Sequence, residues 1–248
     1  MKHSSHLYRV RALTRDTTKA SAKALSDLGA EVVAVDFDDE ASLITAFEGA
    51  NAIFAITNFW DKADFDLEVT QGKLINKVAS QVKTLEHYVY SSLPDGRKLL
   101  GGKYQNILPY NAKAAIREDL QSNFPELYKK TIEIWIAYYY QNWVKYQAVF
   151  GPIKVRTMAS GLKFWELMML QQSNGTFVLS MPFPPSTIIP SSSPDDTGVL
   201  VDTIIRSGSK YRGQTIALSG EAYTQEYMLD VFAKGCLGRL DPIQTPAN

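Results

Sequence analysis

The sequence predicts an α/β fold built on a doubly wound parallel sheet, with a smaller lobe toward the carboxyl end. Three observations carry that expectation. Strand-length apolar runs alternate with helix-length amphipathic stretches, the order that crossover connections require. The strand runs are almost continuously apolar, as in sheets covered on both faces. With 45% hydrophobic and 11% aromatic residues, the 248-residue chain can fill a core of one large domain, or of a main domain and a lobe.

The elements follow in order. Tyr8, Val10 and Leu13 alternate as a strand. Thr17 and Thr18 offer an N-cap, Ala20, Ala24, Leu25 and Leu28 recur at helical spacing, and Gly29 ends the helix. Residues 31–36, EVVAVD, read as a β-branched strand that ends in acids. A helix over 39–50 turns Leu43, Ala46 and Phe47 inward. A strand at 52–57, a helix at 64–83 and a strand at 87–91 continue the alternation, and a helix at 112–122 and a strand at 131–136 extend it. Residues 181–194 hold five prolines, which predicts loop or edge there and not a central strand. Asp195 and Asp196 predict an N-cap before the run GVLVDTII. A strand at 215–218 and a helix at 224–234 close the order.

Composition narrows the function classes. Twenty-six basic residues balance twenty-six acidic ones, so no net field favours nucleic acid, and no direct nucleic-acid partner is expected. The single cysteine, Cys236, excludes an internal disulfide and a multi-cysteine zinc site. His3, His6 and His87 have no metal-ligand spacing, so no metal is expected. The apolar runs are strand-length, too short to span a bilayer, and the opening MKHSSHLYRVRALTRD lacks a signal-peptide apolar core. The default expectation is a soluble protein of the cytoplasm, with the nucleus as a second compartment.

A doubly wound sheet binds its ligand outside the carboxyl ends of its strands, which directs attention to the residues after each strand. There the segments LTRDTTKASAKALSDLGAEVVAVDFDDEASL, GANAIFAITNFWD, EVTQGKLI, HYVYSSLPDGRKLLGGKY and NAKAAIRE together resemble the NmrA-like family of atypical short-chain dehydrogenases. The resemblance runs from about Val10 to Lys234, is most specific in TNFWD and YSSLPDG, and weakens after Gly151. It implies a Rossmann-like domain that binds NADP, over residues 1–150. It also implies a smaller substrate or partner lobe over 151–248 that shares some elements with the first.

The chain departs from the family at its start. No glycine precedes Gly29, so the first strand, the GxxGxxG loop and the helix after it have no counterpart, and the Rossmann-like sheet is incomplete at the amino end. That loop normally holds the pyrophosphate on backbone N–H groups at a helix N-terminus. Either the chain has lost this machinery or its recorded start is internal to a longer gene; an in-frame GxxGxxG upstream of Met1 distinguishes them. Without that strand, the strands at 8–13 and 52–57 must pair directly or leave a slot with unpaired backbone groups, which predicts poor stability. The end of the chain, GCLGRLDPIQTPAN, lacks helical periodicity and predicts a mobile tail from about Gly238.

The resemblance also assigns a site. Arg15 and Lys19, with Asp16, Thr17 and Thr18 between them, fall where the ribose 2′-phosphate is bound. Arg15 supplies a permanently charged fork for phosphate. Without the resemblance, these are two solvated charges at a helix start. Asp36 and Phe37 fall against the adenine, while Asp38 or Asp39 serves as a helix cap. Thr57, Asn58 and Phe59 fall along the pyrophosphate and ribose, and Lys113 on the nicotinamide ribose. Tyr139, Tyr140, Gln141 and Asn142 fall toward the nicotinamide, although three successive tyrosines also suit plain sheet cover. An ordinary short-chain dehydrogenase pairs a serine with a tyrosine acid four residues before the lysine. Here Ser91 and Ser92 are present, but Pro109 stands four before Lys113 and Tyr110 three before, which leaves Tyr110 a weak candidate acid.

Three functions remain open. The first is an NADP-dependent oxidoreductase acting on a small carbonyl or enone, in a setting such as secondary metabolism. The second is a non-catalytic redox sensor whose NADP or NADPH occupancy alters a protein partner. The third is a truncated family member without activity.

Overall fold

Two separate parallel ladders carry the amino-terminal half of the chain. The computed structural model describes residues 8–146, 151, 153–154, 177–178 and 184–236. The order opens with β1 (Arg11–Thr14), α1 (Ala20–Asp27), β2 (Glu31–Ala34), α2 (Glu40–Phe47), β3 (Ala52–Ala55) and α3 (Phe65–Gln81). Next come β4 (His87–Ser92), α4 (Gly96–Leu99), α5 (Leu108–Asn123), α6 (Pro125–Tyr128), β5 (Thr131–Ile136), β6 (Tyr138–Tyr139) and α7 (Asn142–Lys145). The described chain ends with β7 (Ile153–Lys154), β8 (Phe177–Val178), β9 (Ile188–Ser192), α8 (Pro194–Arg206), β10 (Thr215–Leu218), β11 (Ala222–Thr224) and α9 (Gln225–Cys236). The expected tail from Gly238 lies outside the described residues, as does the Cys236 side chain.

The chain divides into two units. One runs to Ile136 and takes up Asp195–Leu218; the other comprises Ala137–Pro194 and the chain from Ser219. In the first unit β1 pairs in parallel with β2, from Arg11 opposite Glu31 to Thr14 opposite Ala34. A four-stranded parallel sheet runs in the order β10-β5-β4-β3. Of the two arrangements open to a sheet without the family's first strand, the chain takes the second. Among the described residues β1 pairs only with β2, and β3 only with β4.

Alternation along the strands builds two cores. Ile53, Ala55, Tyr88 and Tyr90 pack with Leu43 and Phe47 of α2, Ile75 and Val78 of α3, and Ile116 and Leu120 of α5. Leu13 of β1 and Val33 of β2 join the margin of the same core, which keeps the β1–β2 ladder attached. On the opposite face Val89, Ile132 and Ile134 meet Val201 and Ile204 of α8. At Gly72 of α3 a Cβ would collide with the buried Ile116 side chain of α5, so any larger residue there would force Ile116 to move. Buried hydroxyls are matched: the Tyr88 hydroxyl donates to Asn76 Oδ1 at 2.9 Å, and Asn76 Nδ2 donates to the Ile116 carbonyl at 3.1 Å. His87, first in β4, is buried as a strand residue, and burial holds its pKa below the ordinary value.

Three local expectations are corrected. The proline-rich segment contributes β9, the middle strand of a three-stranded sheet ordered β11-β9-β6. It tolerates Pro190 because its two neighbours occupy different stretches. β11 faces Ile188–Pro190, whereas β6 faces only Ser191 and Ser192, so the missing N–H falls where β6 offers no partner. Thr17 and Thr18 do not cap α1. Lys19 holds that position without a side-chain bond, because Asp16 Oδ1 takes both the Thr18 N–H (2.9 Å) and the Thr18 hydroxyl (2.6 Å). Asp195 and Asp196 lie inside the first turn of α8, not before it, since Pro194 already opens the helix.

Candidate functional site

The carboxyl ends of β1, β2 and β3, with the helices packed on them, hold most of the assigned residues. After β1, Arg15 leaves the strand with its guanidinium extended. Its Nη1 and Nη2 atoms donate to Asp61 Oδ2 and Oδ1 at 2.8 and 2.9 Å, a bidentate pair. Asp61 closes the 3₁₀ turn Phe59–Asp61 beyond β3. The pair therefore joins the ends of two strands that do not pair with each other. The Arg15 hydrogen bonds hold the Asp61 carboxyl below the usual range, and Asp61 raises the pKa of Arg15 in return. Lys19 and Lys62 add positive charge near Asp61, whereas Asp36 and Asp38 add negative charge near Arg15.

The turn that carries Asp61 is fixed from below. Phe59 is buried and meets Trp60 edge-on, ring centroids 5.3 Å apart. Ala63 then takes the left-handed conformation (φ 53°) that swings the chain toward α3. Asp64 caps that helix by accepting from the Leu67 N–H at 3.0 Å.

One turn into α3 stands Glu68, whose side chain is 2% exposed and lies 2.8 Å from Lys113 Nζ. The ammonium also donates to the Thr57 carbonyl at 2.6 Å and to the Thr57 hydroxyl at 2.5 Å. That hydroxyl in turn donates to Glu68 Oε1 at 2.7 Å. Lys113 thus has an acceptor for each of its three protons and ties α5 to α3 and to the end of β3. Burial lowers its pKa, and the Glu68 charge opposes that shift. Glu68 Oε2 accepts no hydrogen bond among the described residues.

The remaining assigned residues fall as follows. The Asp36 side chain accepts the Asp38 N–H at 3.0 Å, and the Asp36 backbone N–H donates to Ser42 Oγ at 3.0 Å. Asp39, of the two proposed caps, is the one that caps α2, accepting from Ala41 at 3.0 Å. Asp38 instead takes the Gln71 amide at 3.0 Å. Phe37 packs at the core margin, and Asn58 and Thr17 are exposed. Ser91 and Ser92 are buried within β4. Tyr110 is exposed in the first turn of α5, whereas Lys113 is buried. Tyr139, Tyr140, Gln141 and Asn142 belong to the second unit. There the Tyr140 hydroxyl donates to the Glu221 carbonyl at 3.3 Å and the Gln141 amide to Ser193 at 2.9 Å.

Asp61, Glu68 and Asp95 escaped the residue-level reading, although TNFWD, EVTQGKLI and YSSLPDG contain them. Asp95 caps α4, and its Arg97 partner leads the interactions that lower its pKa to about 2. Its position before a glycine at a strand end was a legible capping signal. Asp61 and Glu68 have partners 46 and about 45 residues away in sequence, which no local pattern exposes. Among the described residues no cluster suits a metal ion, and no helix is long and apolar enough to cross a membrane.

Comparison with known proteins agrees with this geometry. The NmrA-like family pattern matches residues 2–247. An NmrA-like family domain-containing oxidoreductase, notA′ of Aspergillus versicolor, is 28% identical over 242 residues, covering 93% of this chain and 63% of the relative. The crystal structure of NmrA, a negative transcriptional regulator, superposes with a TM-score of 0.71 at 20% identity, covering 95% of this chain and 66% of that one. The same regulator in complex with NADP gives 0.64 at 21% identity, over 88% of this chain and 60% of that one. The chain thus spans just under two thirds of the length of these relatives. A pattern matched across nearly its whole length, on a Rossmann-like sheet with this arrangement of strand ends, makes the protein a member of the NmrA-like family.

Proposed function

We propose that the chain binds NADP at the ends of β1 to β3 and serves as an oxidoreductase for a small carbonyl or enone. One observation carries this reading: the Arg15 guanidinium already holds a planar pair of anionic oxygens in the geometry that a phosphate requires. Arg15 and Lys19 would hold the 2′-phosphate, Asp36 and Phe37 the adenine. That end of the cofactor fits the donors present. The pyrophosphate end has no glycine cradle among the described residues. The cofactor, when bound, supplies hydride chemistry; the protein's part is to orient it. Under this reading Thr57, Asn58 and Phe59 line its middle, and Lys113 holds Thr57 in place from beneath.

A second reading, a non-catalytic NADP(H) sensor acting on a protein partner, is favoured by a different observation. All three Lys113 protons are directed at Glu68 and Thr57, and Tyr110 is exposed, so no tyrosine–lysine acid couple is assembled. Turnover of NADPH with a panel of ketones and enones separates the two. The cofactor claim that both share is tested by Arg15→Ala. NADPH binding should weaken by roughly 1.5–3 kcal/mol, the range for hydrogen bonds to charged groups, with NADH nearly unchanged. Equal losses for the two would assign Arg15 a structural role only.

A further inference from the structure

Asp61 fills the Nη1/Nη2 edge of Arg15, one of the two forks a guanidinium offers. Both Asp61 oxygens lie within 2.9 Å of the guanidinium, the same two-oxygen geometry a phosphate uses. A phosphate on that same edge would compete with the carboxylate, because the two N–H groups there are engaged and the like charges repel. The Arg15 side chain is 66% exposed and that of Asp61 34%, so the pair is accessible to a competing anion. Exposed pairs of this kind are worth little, at most a few-fold in an equilibrium constant, so displacement is inexpensive. A displaced Asp61 would not stand alone, since Lys62 and Lys19 already act on its charge.

We infer that Asp61 is a specificity-determining residue: it occupies the 2′-phosphate position in the free chain and must yield that position for a phosphorylated dinucleotide to bind. The inference rests on the cofactor reading above and adds to it an internal competitor. Asp61 sets how far NADPH is preferred over NADH, because only NADPH has to displace it. The competitor also has a structural consequence. While Asp61 holds Arg15, the ends of β1 and β3 are tied together; when phosphate takes the fork, that tie opens. The turn bearing Asp61 stays in place through buried Phe59 and the Asp64 cap, so the exchange is confined to the side chains. Protonation does not open the pair near neutral pH, since Arg15 holds the Asp61 carboxyl below its usual range.

The test is fluorescence titration of the full chain with NADPH and with NADH, on the wild type, Asp61→Asn, Asp61→Glu and Arg15→Ala. Asp61→Asn keeps the side-chain size and removes the charge. It should tighten NADPH roughly three- to tenfold, starting from the few-fold value of such a pair and adding the lost repulsion, and NADH less than twofold. Asp61→Glu restores a carboxylate and should bind NADPH like the wild type or more weakly than Asp61→Asn. If Arg15→Ala weakens NADPH selectively but Asp61→Asn leaves it unchanged or weaker, the cofactor reading stands and the competitor is overturned. If Arg15→Ala alters neither nucleotide, or neither binds to any variant, the cofactor reading fails and the competitor fails with it.

Discussion

Strand β4 is buried along all six of its residues, whereas every residue of β1 is only half buried. The two strands differ in their neighbours. β4 lies between β3 and β5 with helices on both faces, while among the described residues β1 has only β2 beside it. The edge of β3 shows the same deficit, for Phe54 is 38% and Ile56 49% exposed. An ion pair in each region differs in the same way. In the closed region Lys113 and Glu68 are sealed under the strand ends; in the open region Arg15 and Asp61 face solvent. The difference teaches which charges belong to the fold and which are available to a ligand. A buried pair that loses one member leaves an uncompensated charge, whereas an exposed pair exchanges with water and ions at little cost.

The largest expected effect falls on the buried pair. Lys113→Met should destabilise the chain by about 3–5 kcal/mol in urea unfolding, because Glu68 would stay buried without its cation. Adding Glu68→Gln to that variant should recover part of the loss, since the amide can still accept from Thr57. Arg15→Ala should change stability by no more than about 1 kcal/mol in the same assay. Similar losses for Lys113→Met and Arg15→Ala would erase the distinction between the regions.

A smaller effect is expected at the end of β4. Asp95 has its pKa lowered to about 2, chiefly by the Arg97 side chain and then by backbone N–H groups. An unfolded aspartate titrates near about 3.9. The folded value is the lower one, so the stabilisation is present above about pH 4 and is lost as pH falls from there toward about 2. Asp95→Ala should cost about 0.5–2 kcal/mol at neutral pH, the range for a lost N-cap. Thermal melts of this variant should also show a shallower decline between about pH 4 and pH 2 than the wild type. An unchanged acid profile would place the acid-sensitive groups elsewhere.

How much of this was legible in the sequence depended on the range of the interaction. The strands at 31–34, 52–55, 87–92 and 131–136 and the helices between them follow from apolar periodicity, because each element's own face decides its burial. The absent glycines before Gly29 left open whether the strands at 8–13 and 52–57 pair directly, and among the described residues β1 and β3 do not. Pro190 misled, since a proline argues against a central strand unless the partners on its two sides are staggered, as β6 and β11 are. The Asp16 side chain, by taking Thr18, removed a cap that composition alone suggested. Lys113 was legible as a residue with a role, but its acceptors Thr57 and Glu68 come from other elements and only the folded chain joins them.

Under the proposed cofactor reading, the β1–β2 ladder is the open, ligand-responsive part of the first unit and β4–β5 is its fixed frame. Amide hydrogen exchange across the chain, with and without excess NADPH, addresses it directly. In the free protein the amides of β1 and β2 should exchange well before those of β4 and β5. NADPH should slow exchange at the ends of β1, β2 and β3 and leave β4 and β5 unchanged. Equal protection of β1–β2 and β4–β5 in the free chain, or NADPH protection confined to segments away from those strand ends, would contradict it.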